Sequence, residues 1–204
     1  MISAEAAGSM QEITPRYEFR IWAETLTDLR DKLQQRAAPS HAENSPETYL
    51  ISAATERCNA KIRNDLMDIK VLIGTHRGLE QWKPALKAGF PLDRSVIAAQ
   101  VFPSLELTAP HLSRAQYAMD EFLSEVIGAR PEVAVVAVSK QRVHFSVDEC
   151  QAEFASATID GRARDTVAVE SADPDAVLQL IRALGIEGAA NTSYIREIKQ
   201  IIGR

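Results

Sequence analysis

Alternating and helical spacings of apolar residues divide the first quarter of the chain into distinct elements. The run RYEFRIW (16–22) alternates polar and apolar residues, which predicts a strand with one polar face. The next run, ETLTDLRDKLQQR, spaces its leucines as a helix does, and Thr25 or Thr27 is expected to cap its start. A loop is expected over 38–46, where Pro, Ser and Asn are frequent.

Three short runs then indicate antiparallel pairing. ETYLIS (47–52) favours a strand, and NAKIR (59–63) and MDIKVLI (67–73) alternate apolar and polar residues. Asn64 and Asp65 separate the last two runs. Because both residues tolerate unusual backbone angles, we expect a tight hairpin turn there.

The middle of the chain, 75–131, has a less regular pattern. The run GLEQWKPALKAGFPL predicts a short amphipathic element that Pro84 interrupts. The run LSRAQYAMDEFLSEVI has helical spacing, so we expect a helix there with Ser113 as its cap.

The last third of the chain predicts three more strands and two helices. The strands are expected over 131–147 and in the runs CQAEFASATI and RDTVAVES. The first helix is expected in DPDAVLQLIRALG, with Pro174 in its first turn and Gly185 at its end. The second is expected in NTSYIREIKQIIG.

These elements predict an α+β fold with seven or eight mostly antiparallel strands and helices packed outside. Residues 1–14 are small and polar, so we expect a flexible leader followed by a single domain over 15–204. Of the 204 residues, 46% are apolar and 25% are charged, which excludes a disordered or fibrous chain.

Composition and charge limit where in the cell the protein is expected and which classes of molecule it is expected to bind. No apolar run is long enough to span a membrane, and the N-terminus lacks the features of a secretory signal, so we expect a cytoplasmic protein. The net charge of −5 argues against nucleic-acid binding through a globally basic surface. Cys58 and Cys150 are too few and too far apart for a disulfide framework or a thiolate metal site, and both are expected to be buried or incidental.

Basic residues recur on the polar faces of four predicted strands. They are Arg20, Lys61, Arg63, Lys70, Lys140 and Arg142. The same faces carry the acidic residues Glu18, Asp68, Glu149, Glu153 and Glu170. Faces of this kind lie in solvent or line a closed lumen, and charge alternation alone leaves both alternatives open.

A repeated Lys-x-Arg spacing favours the lumen. Side chains two residues apart on a strand point to the same face, so Lys61 with Arg63, and Lys140 with Arg142, converge on one site. Paired cations suit a multiply charged phosphate or carboxylate. The chain contains no glycine-rich phosphate loop, nucleophile elbow, HExxH motif or dinucleotide fingerprint.

The order of elements resembles the CYTH superfamily, the triphosphate tunnel metalloenzymes. The similarity covers 16–202 and is strongest in the KIR…DIK hairpin and in the tail that contains Ser193 and Tyr194. The resemblance implies a closed or nearly closed eight-stranded antiparallel tunnel that binds a triphosphate through inward basic residues. It also implies that acidic residues hold one or two Mg²⁺ or Mn²⁺ ions.

The resemblance assigns roles to individual positions. Lys61, Arg63, Lys70, Lys140 and Arg142 match the phosphate-contacting positions, and Glu153 and Glu170 match acidic positions on the late strands. The family's E-x-E-x-K signature is altered, because only Glu18 remains and Arg20 and Trp22 replace its second glutamate and its lysine. Glu18, Glu153 and Glu170 are the expected metal ligands, and Arg20 adds a cation to the anion site.

Two functions follow from this pattern, with ATP cyclisation a third that rests on the resemblance alone. One is a metal-dependent phosphohydrolase of inorganic or organic triphosphates. The other is an inactive module that keeps the basic tunnel and binds a nucleotide or other anion, which the altered signature favours. His144 is a candidate proton donor or a structural histidine.

Three aromatic residues have simpler interpretations. Trp22 and Trp82 could stack on an aromatic head group, although packing is the simpler role for Trp82. Trp22 is unusual on a polar face. Tyr194 is expected to anchor the last helix and has no catalytic role.

Overall fold

The computed structural model of the chain describes residues 14–204. The leader expected over 1–14 therefore lies outside the described residues, except for Thr14. The first element begins at Arg16, directly after Pro15.

Eight strands form a closed antiparallel barrel. In chain order they are β1 (Arg16–Ala23), β2 (Pro39–Ser52), β3 (Cys58–Arg63), β4 (Leu66–His76), β5 (Leu79–Gly89), β8 (Val133–Val147), β9 (Cys150–Ile159) and β10 (Arg162–Ser171). Around the barrel the order is β1-β10-β9-β8-β2-β3-β4-β5, and β5 pairs back with β1. The predicted α+β fold with an eight-stranded antiparallel tunnel is confirmed.

The remaining elements lie between these strands and after them. The helices are α1 (Thr27–Arg36), α2 (Arg94–Val96), α3 (Phe102–Ser104), α4 (Met119–Glu121), α5 (Pro174–Leu184) and α6 (Tyr194–Ile202). Two π-helical stretches, Ile97–Val101 and Phe122–Ile127, continue α2 and α4. A short ladder pairs β6 (Leu92–Asp93) with β7 (Gln116–Tyr117).

The outward apolar faces of the strands form two cores under the helices. On one side, Phe19, Phe154 and Val169 pack with Leu33 of α1 and Ile181 of α5. On the other side, the outward residues of β3 and β4 pack beneath the helical middle of the chain. Because successive side chains of a strand point to opposite faces, the face of each strand that does not pack under the helices is directed into the lumen.

The last helix closes one end of the barrel. Ile195, Ile198 and Ile201 of α6 pack against Tyr49, Val136 and other residues on the inward faces of β2, β8 and β9. The segment before α6 joins the β1 edge, since Thr192 N donates to the Arg20 carbonyl oxygen across 2.8 Å. The barrel interior is therefore apolar at the end covered by α6.

The prediction of a loop over 38–46 is wrong, because the residues from Pro39 onward belong to β2. They pair with β8 beginning with Pro39 opposite Phe145, with one register shift between Pro39 and His41. This long pairing provides hydrogen-bond partners for the backbone N–H and C=O groups and overrides the turn-favouring composition of the segment.

The short element expected to be interrupted at Pro84 is a long strand, β5. Pro84 lies opposite Lys70 at a shift in register that follows Ile69. A proline is tolerated at a bulge because the ladder does not need its missing N–H there.

Two predicted helix starts are also wrong. Ser113 caps no helix, since β7 follows it and α4 begins only at Met119. Glu121 accepts a 2.9 Å hydrogen bond from the Ala118 N–H at that start. Neither threonine caps α1, where the Leu26 N–H donates instead to Asp165 across 3.0 Å.

Other local predictions are confirmed. Asn64 and Asp65 form the β3–β4 turn with φ of 51° and 57°. Asp173 caps α5 ahead of Pro174, and Gly185 ends that helix in the left-handed conformation at φ 77°. Cys58 and Cys150 are both buried and free.

Candidate anion-binding cavity

The barrel encloses a cavity of about 220 Å³. All nine residues that the sequence singled out for an anion or metal site line it: Arg20, Lys61, Arg63, Lys70, Lys140, Arg142, Glu18, Glu153 and Glu170. Asp68 and His144 also line it. Of the two alternatives for the charged faces, the structure has the closed lumen. Glu149 is an exception, because it lies exposed in the turn between β8 and β9 rather than on an inward strand face.

Strand register explains why these residues meet. Glu18 lies opposite Glu170, and Arg20 lies opposite Ala168, which in turn lies opposite Glu153. Lys61 lies opposite Asp68 on the neighbouring strand. Each of these side chains has the parity of the inward face, as the alternation predicted.

Glu47 is the most connected acid of the cavity, and sequence reasoning missed it. Its side chain has no exposed surface and lies 2.7 Å from Lys140 Nζ, 3.4 Å from Arg142 and 3.6 Å from Arg63. Burial alone would raise the pKa of this carboxyl, but the field of Lys140, Lys61 and Arg142 outweighs it and lowers the pKa to about 2. Glu47 therefore stays ionised.

A signal for Glu47 exists in the sequence. Glu43, Ser45, Glu47 and Tyr49 alternate with the rest of β2, and the first two were assigned to a loop because of the neighbouring prolines. Had β2 been extended through this segment, parity would have directed these side chains into the lumen.

Lys140 lies between an acid and two aromatic rings. Its Nζ donates to Glu47 and, across 2.8 Å, to the Tyr49 hydroxyl, and lies 3.6 Å from the centre of the Tyr194 ring. Burial outweighs the attraction of Glu47 and Glu153 and lowers the pKa of Lys140 to about 7. Its charge therefore responds to pH in the neutral range.

Tyr194 is the first residue of α6 and forms the floor of the cavity. Its ring lies 4.6 Å from the Arg20 guanidinium and stacks on Tyr49 at 5.8 Å. Trp22 packs edge-on against it at 4.6 Å and donates from Nε1 to the Thr192 carbonyl oxygen across 3.0 Å. Trp22 is inward because it belongs to the apolar end of the barrel.

Arg20 bridges two of the expected metal ligands. Its Nε donates to Glu18 across 2.9 Å, and its Nη1 donates to Glu153 and to the Thr166 hydroxyl, each across 3.2 Å. Burial disfavours the guanidinium charge, but Glu18 and Glu153 outweigh it and raise the pKa of Arg20 above its ordinary value.

The charges that line the cavity nearly balance. The six basic residues face five acidic ones, which are Glu18, Glu47, Asp68, Glu153 and Glu170. Asp68 lies 3.3 Å from Lys61 and 3.5 Å from Arg63. Lys70 has no carboxylate within 4.0 Å among residues 14–204.

Several polar atoms of the cavity wall lack a hydrogen-bond partner within the described part of the chain. They are Arg142 Nε and Nη2, the Tyr194 hydroxyl and Asn59 Oδ1, and all are buried; Nη2 lies 2.9 Å from Glu43 without hydrogen-bond geometry. Buried polar atoms are rarely left unpaired in folded proteins, so these atoms mark where a polar ligand or ordered water would bind.

His144 lines the cavity and is partly exposed. Its Nε2 lies 3.6 Å from Glu43, its side chain is 29% exposed, and its ring stacks on His41 at 5.9 Å. The candidate proton donor is therefore inside the cavity rather than on the outer surface.

The metal ions implied by the family resemblance do not fit the side chains as they are arranged. Within 14–204, no group of three or more His, Cys, Asp or Glu side chains is placed to hold a metal ion. Glu18 and Glu153 are committed to Arg20, and Glu170 accepts a 2.8 Å hydrogen bond from Arg16. A divalent cation would have to displace these partners.

Solved structures similar to this chain share its fold. A conserved hypothetical protein from Pyrococcus furiosus has a TM-score of 0.52 at 13% identity, covering 89% of this chain and 97% of its own. The PH1012 protein of Pyrococcus horikoshii OT3 has a TM-score of 0.51 at 13% identity, with coverages of 87% and 97%. The PH1819 protein of the same organism has a TM-score of 0.50 at 12% identity, with coverages of 92% and 100%.

At these identities the similarity shows the fold alone. No protein-family model and no curated protein matches the chain. Among the helices within 14–204, none is long and apolar enough to cross a membrane.

Proposed function

We propose that this protein binds a compact polyanion of the triphosphate class inside the barrel, as a binding module rather than a metal-dependent hydrolase. The observation that carries the proposal is the convergence of six basic side chains, from β1, β3, β4 and β8, on one cavity inside the barrel. The CYTH resemblance of the sequence supports the same ligand class.

Donors remain free in this cavity although most cations are paired. Lys70 has no carboxylate within 4.0 Å among the described residues, and Arg142 Nε is buried without a partner there. A guanidinium has five N–H donors and an ammonium has three, so pairing with one carboxylate does not exhaust them. Phosphate oxygens can therefore bind without first breaking every ion pair.

The size of the cavity restricts the ligand. A volume of about 220 Å³ is below the roughly 300–1,000 Å³ of pockets that enclose drug-sized molecules. A short phosphate chain fits this scale, whereas the organic part of a nucleotide would lie outside the cavity. We therefore expect inorganic tripolyphosphate to bind at least as tightly as ATP or thiamine triphosphate.

Hydrolysis and ATP cyclisation are less well supported than binding. A metal-dependent hydrolase of this class needs carboxylates that are free to hold the ion and to position water. Here Glu18 and Glu153 are both bonded to Arg20.

Calorimetric titration with tripolyphosphate, ATP and thiamine triphosphate tests the proposal, each with Mg²⁺, Mn²⁺ or a chelator and with phosphate release measured in parallel. We expect binding of tripolyphosphate and no phosphate release. Lys70→Ala should weaken binding by about tenfold or more, the size of a lost charged hydrogen bond. Lys83→Ala is the matched control, because this exposed lysine of the neighbouring strand does not line the cavity.

Two results would contradict the proposal. Absence of binding by all three compounds, with a folded protein, would mean that the ion pairs of the cavity are structural only. Phosphate release that a chelator abolishes would instead establish the metal-dependent hydrolase.

A further inference from the structure

The guanidinium of Arg20 occupies the space between two carboxylates that were expected to bind a metal ion. Its side chain is 8% exposed, and its guanidinium bonds to Glu18, Glu153 and Thr166, which lie on three adjacent strands. The Tyr194 ring covers it at 4.6 Å. These contacts, from three strands and from α6, fix the position of the Arg20 guanidinium.

Both carboxylates already lie against a cation, since each pairs with Arg20. Glu153 lies 3.2 Å from Arg20 Nη1 and 3.7 Å from Arg142 Nη1, and its side chain is only 15% exposed. A carboxylate that is ionised and already bonded to a cation has little further need of a metal ion. Mg²⁺ and Mn²⁺ prefer carboxylate oxygens that are free to complete their coordination.

We propose that the Arg20 guanidinium takes the place of a divalent cation between Glu18 and Glu153, so that the cavity binds its anion without a metal ion. The anion-binding part of this inference rests on the proposed function. The occupation of the carboxylate pair by Arg20 is independent of it and can be tested in the protein without any anion.

Arginine suits this role better than lysine would. Its planar group presents several donors in fixed directions, so it can bond to two carboxylates and a hydroxyl at once. It also stays charged at every pH at which the protein is folded. The charge between Glu18 and Glu153 is therefore permanent and does not depend on the metal supply.

Electron paramagnetic resonance of Mn²⁺ tests the occupation directly, because only free Mn²⁺ gives the strong solution signal. We expect the full-length wild-type protein to leave the signal unchanged. Arg20→Gln, which frees both carboxylates, should remove signal equivalent to one ion per chain, and Arg20→Glu should do so more strongly. Arg16→Gln is the matched control, because it lies on the same strand and frees only Glu170.

Binding of one Mn²⁺ by the wild-type protein at this site, lost in Glu18→Gln, would overturn the inference. So would a folded Arg20→Gln variant, checked by near-ultraviolet circular dichroism, that takes up no more Mn²⁺ than Arg16→Gln. If the Arg20 variants do not fold, Mn²⁺ uptake by the wild-type protein that Glu18→Gln abolishes still overturns the inference.

Calorimetric titration of the wild-type protein with tripolyphosphate tests the second part. Mn²⁺ itself binds tripolyphosphate in solution, so we expect binding with a chelator to be at least as tight as with Mn²⁺. Binding only in the presence of Mn²⁺ would overturn the inference. A protein that binds no anion under either condition contradicts the proposed function, while the Mn²⁺ result on the apo protein stands separately.

Discussion

Lys140 of β8 and Glu47 of β2 form an ion pair of 2.7 Å inside the barrel, and their side chains are only 4% and 0% exposed. Arg142 and Arg63 lie within 4.0 Å of the same carboxylate. Glu47 therefore neutralises the buried cations Lys140 and Arg142 together with the partly exposed Arg63. Loss of the Glu47 charge leaves buried Lys140 without a carboxylate within 4.0 Å among the described residues, whereas Arg142 keeps Glu43 and Arg63 keeps Asp68.

The first prediction concerns stability. Glu47→Gln should lower the free energy of unfolding by about 3 kcal/mol, the typical cost of leaving buried charges uncompensated. Lys140→Met should cost less, because Glu47 keeps Arg142 and Arg63 as partners. Urea denaturation at neutral pH measures both changes.

Glu132→Gln provides the control for this change. Its carboxylate is 44% exposed and pairs with Arg130 at 3.3 Å, and solvent screens such a pair, so its loss should change the free energy of unfolding far less. Equal effects of the two substitutions would show that the buried cluster contributes no more than a surface pair.

The second prediction concerns acid. The pKa of Glu47 is lowered to about 2 in the folded protein from an ordinary value of 4.5, so the unfolded chain binds its proton first as pH falls. The stabilisation is complete above pH 4.5 and is lost progressively as pH falls toward 2, by about 3 kcal/mol in total. Urea midpoints measured across this range should show the decline.

Glu47→Gln should remove part of this decline, because the glutamine does not titrate. An identical slope in the variant and the wild type would assign the acid sensitivity to other carboxylates.

The third prediction concerns the pH dependence of anion binding. The pKa of Lys140 is about 7, so the cavity loses one positive charge as pH rises through neutrality. We expect the affinity for tripolyphosphate to fall over this range. Lys140→Arg keeps the charge and should remove the decline, as measured by calorimetric titration.

His144→Gln separates the Lys140 ammonium from the imidazole that lines the same cavity. A decline that disappears in this variant and persists in Lys140→Arg would assign the effect to the imidazole instead.

The fourth prediction concerns the closure of the barrel by α6. Ile198 is fully buried in the core between α6 and the inward faces of β2, β8 and β9. Ile198→Ala should lower the free energy of unfolding by about 2–5 kcal/mol through lost contacts and a new void. Ile73→Ala, at a side chain that is 44% exposed, should have a much smaller effect in the same denaturation experiment.

Much of the fold was predictable because a strand has a period of two residues. That period alone is enough to place Lys61, Arg63 and Lys70 on polar strand faces, and all three line the cavity. The turn at Asn64 and Asp65 and the end of α5 at Gly185 followed from local backbone preferences in the same way.

The errors have a common physical origin. Pro39, Pro46 and Pro84 suggested breaks in secondary structure. All three lie within strands whose neighbouring strands, distant in sequence, supply the partners for the backbone hydrogen bonds. The helix expected from Ser113 begins instead at Met119, because Gln116 and Tyr117 pair with β6. Local propensity is weak beside such tertiary pairing.

Parity along a strand is a local property, so the order of amino acids is sufficient to establish which side chains share a strand face and that one face of several strands is rich in charge. Closure of the barrel turns this face toward a lumen. Which of those charges meet depends on the folded barrel. Arg20 reaches Glu153 across 133 positions of the chain, and Lys140 reaches Glu47 across 93. Strand register and barrel closure fix those pairs, and both depend on contacts between distant segments that no local pattern encodes.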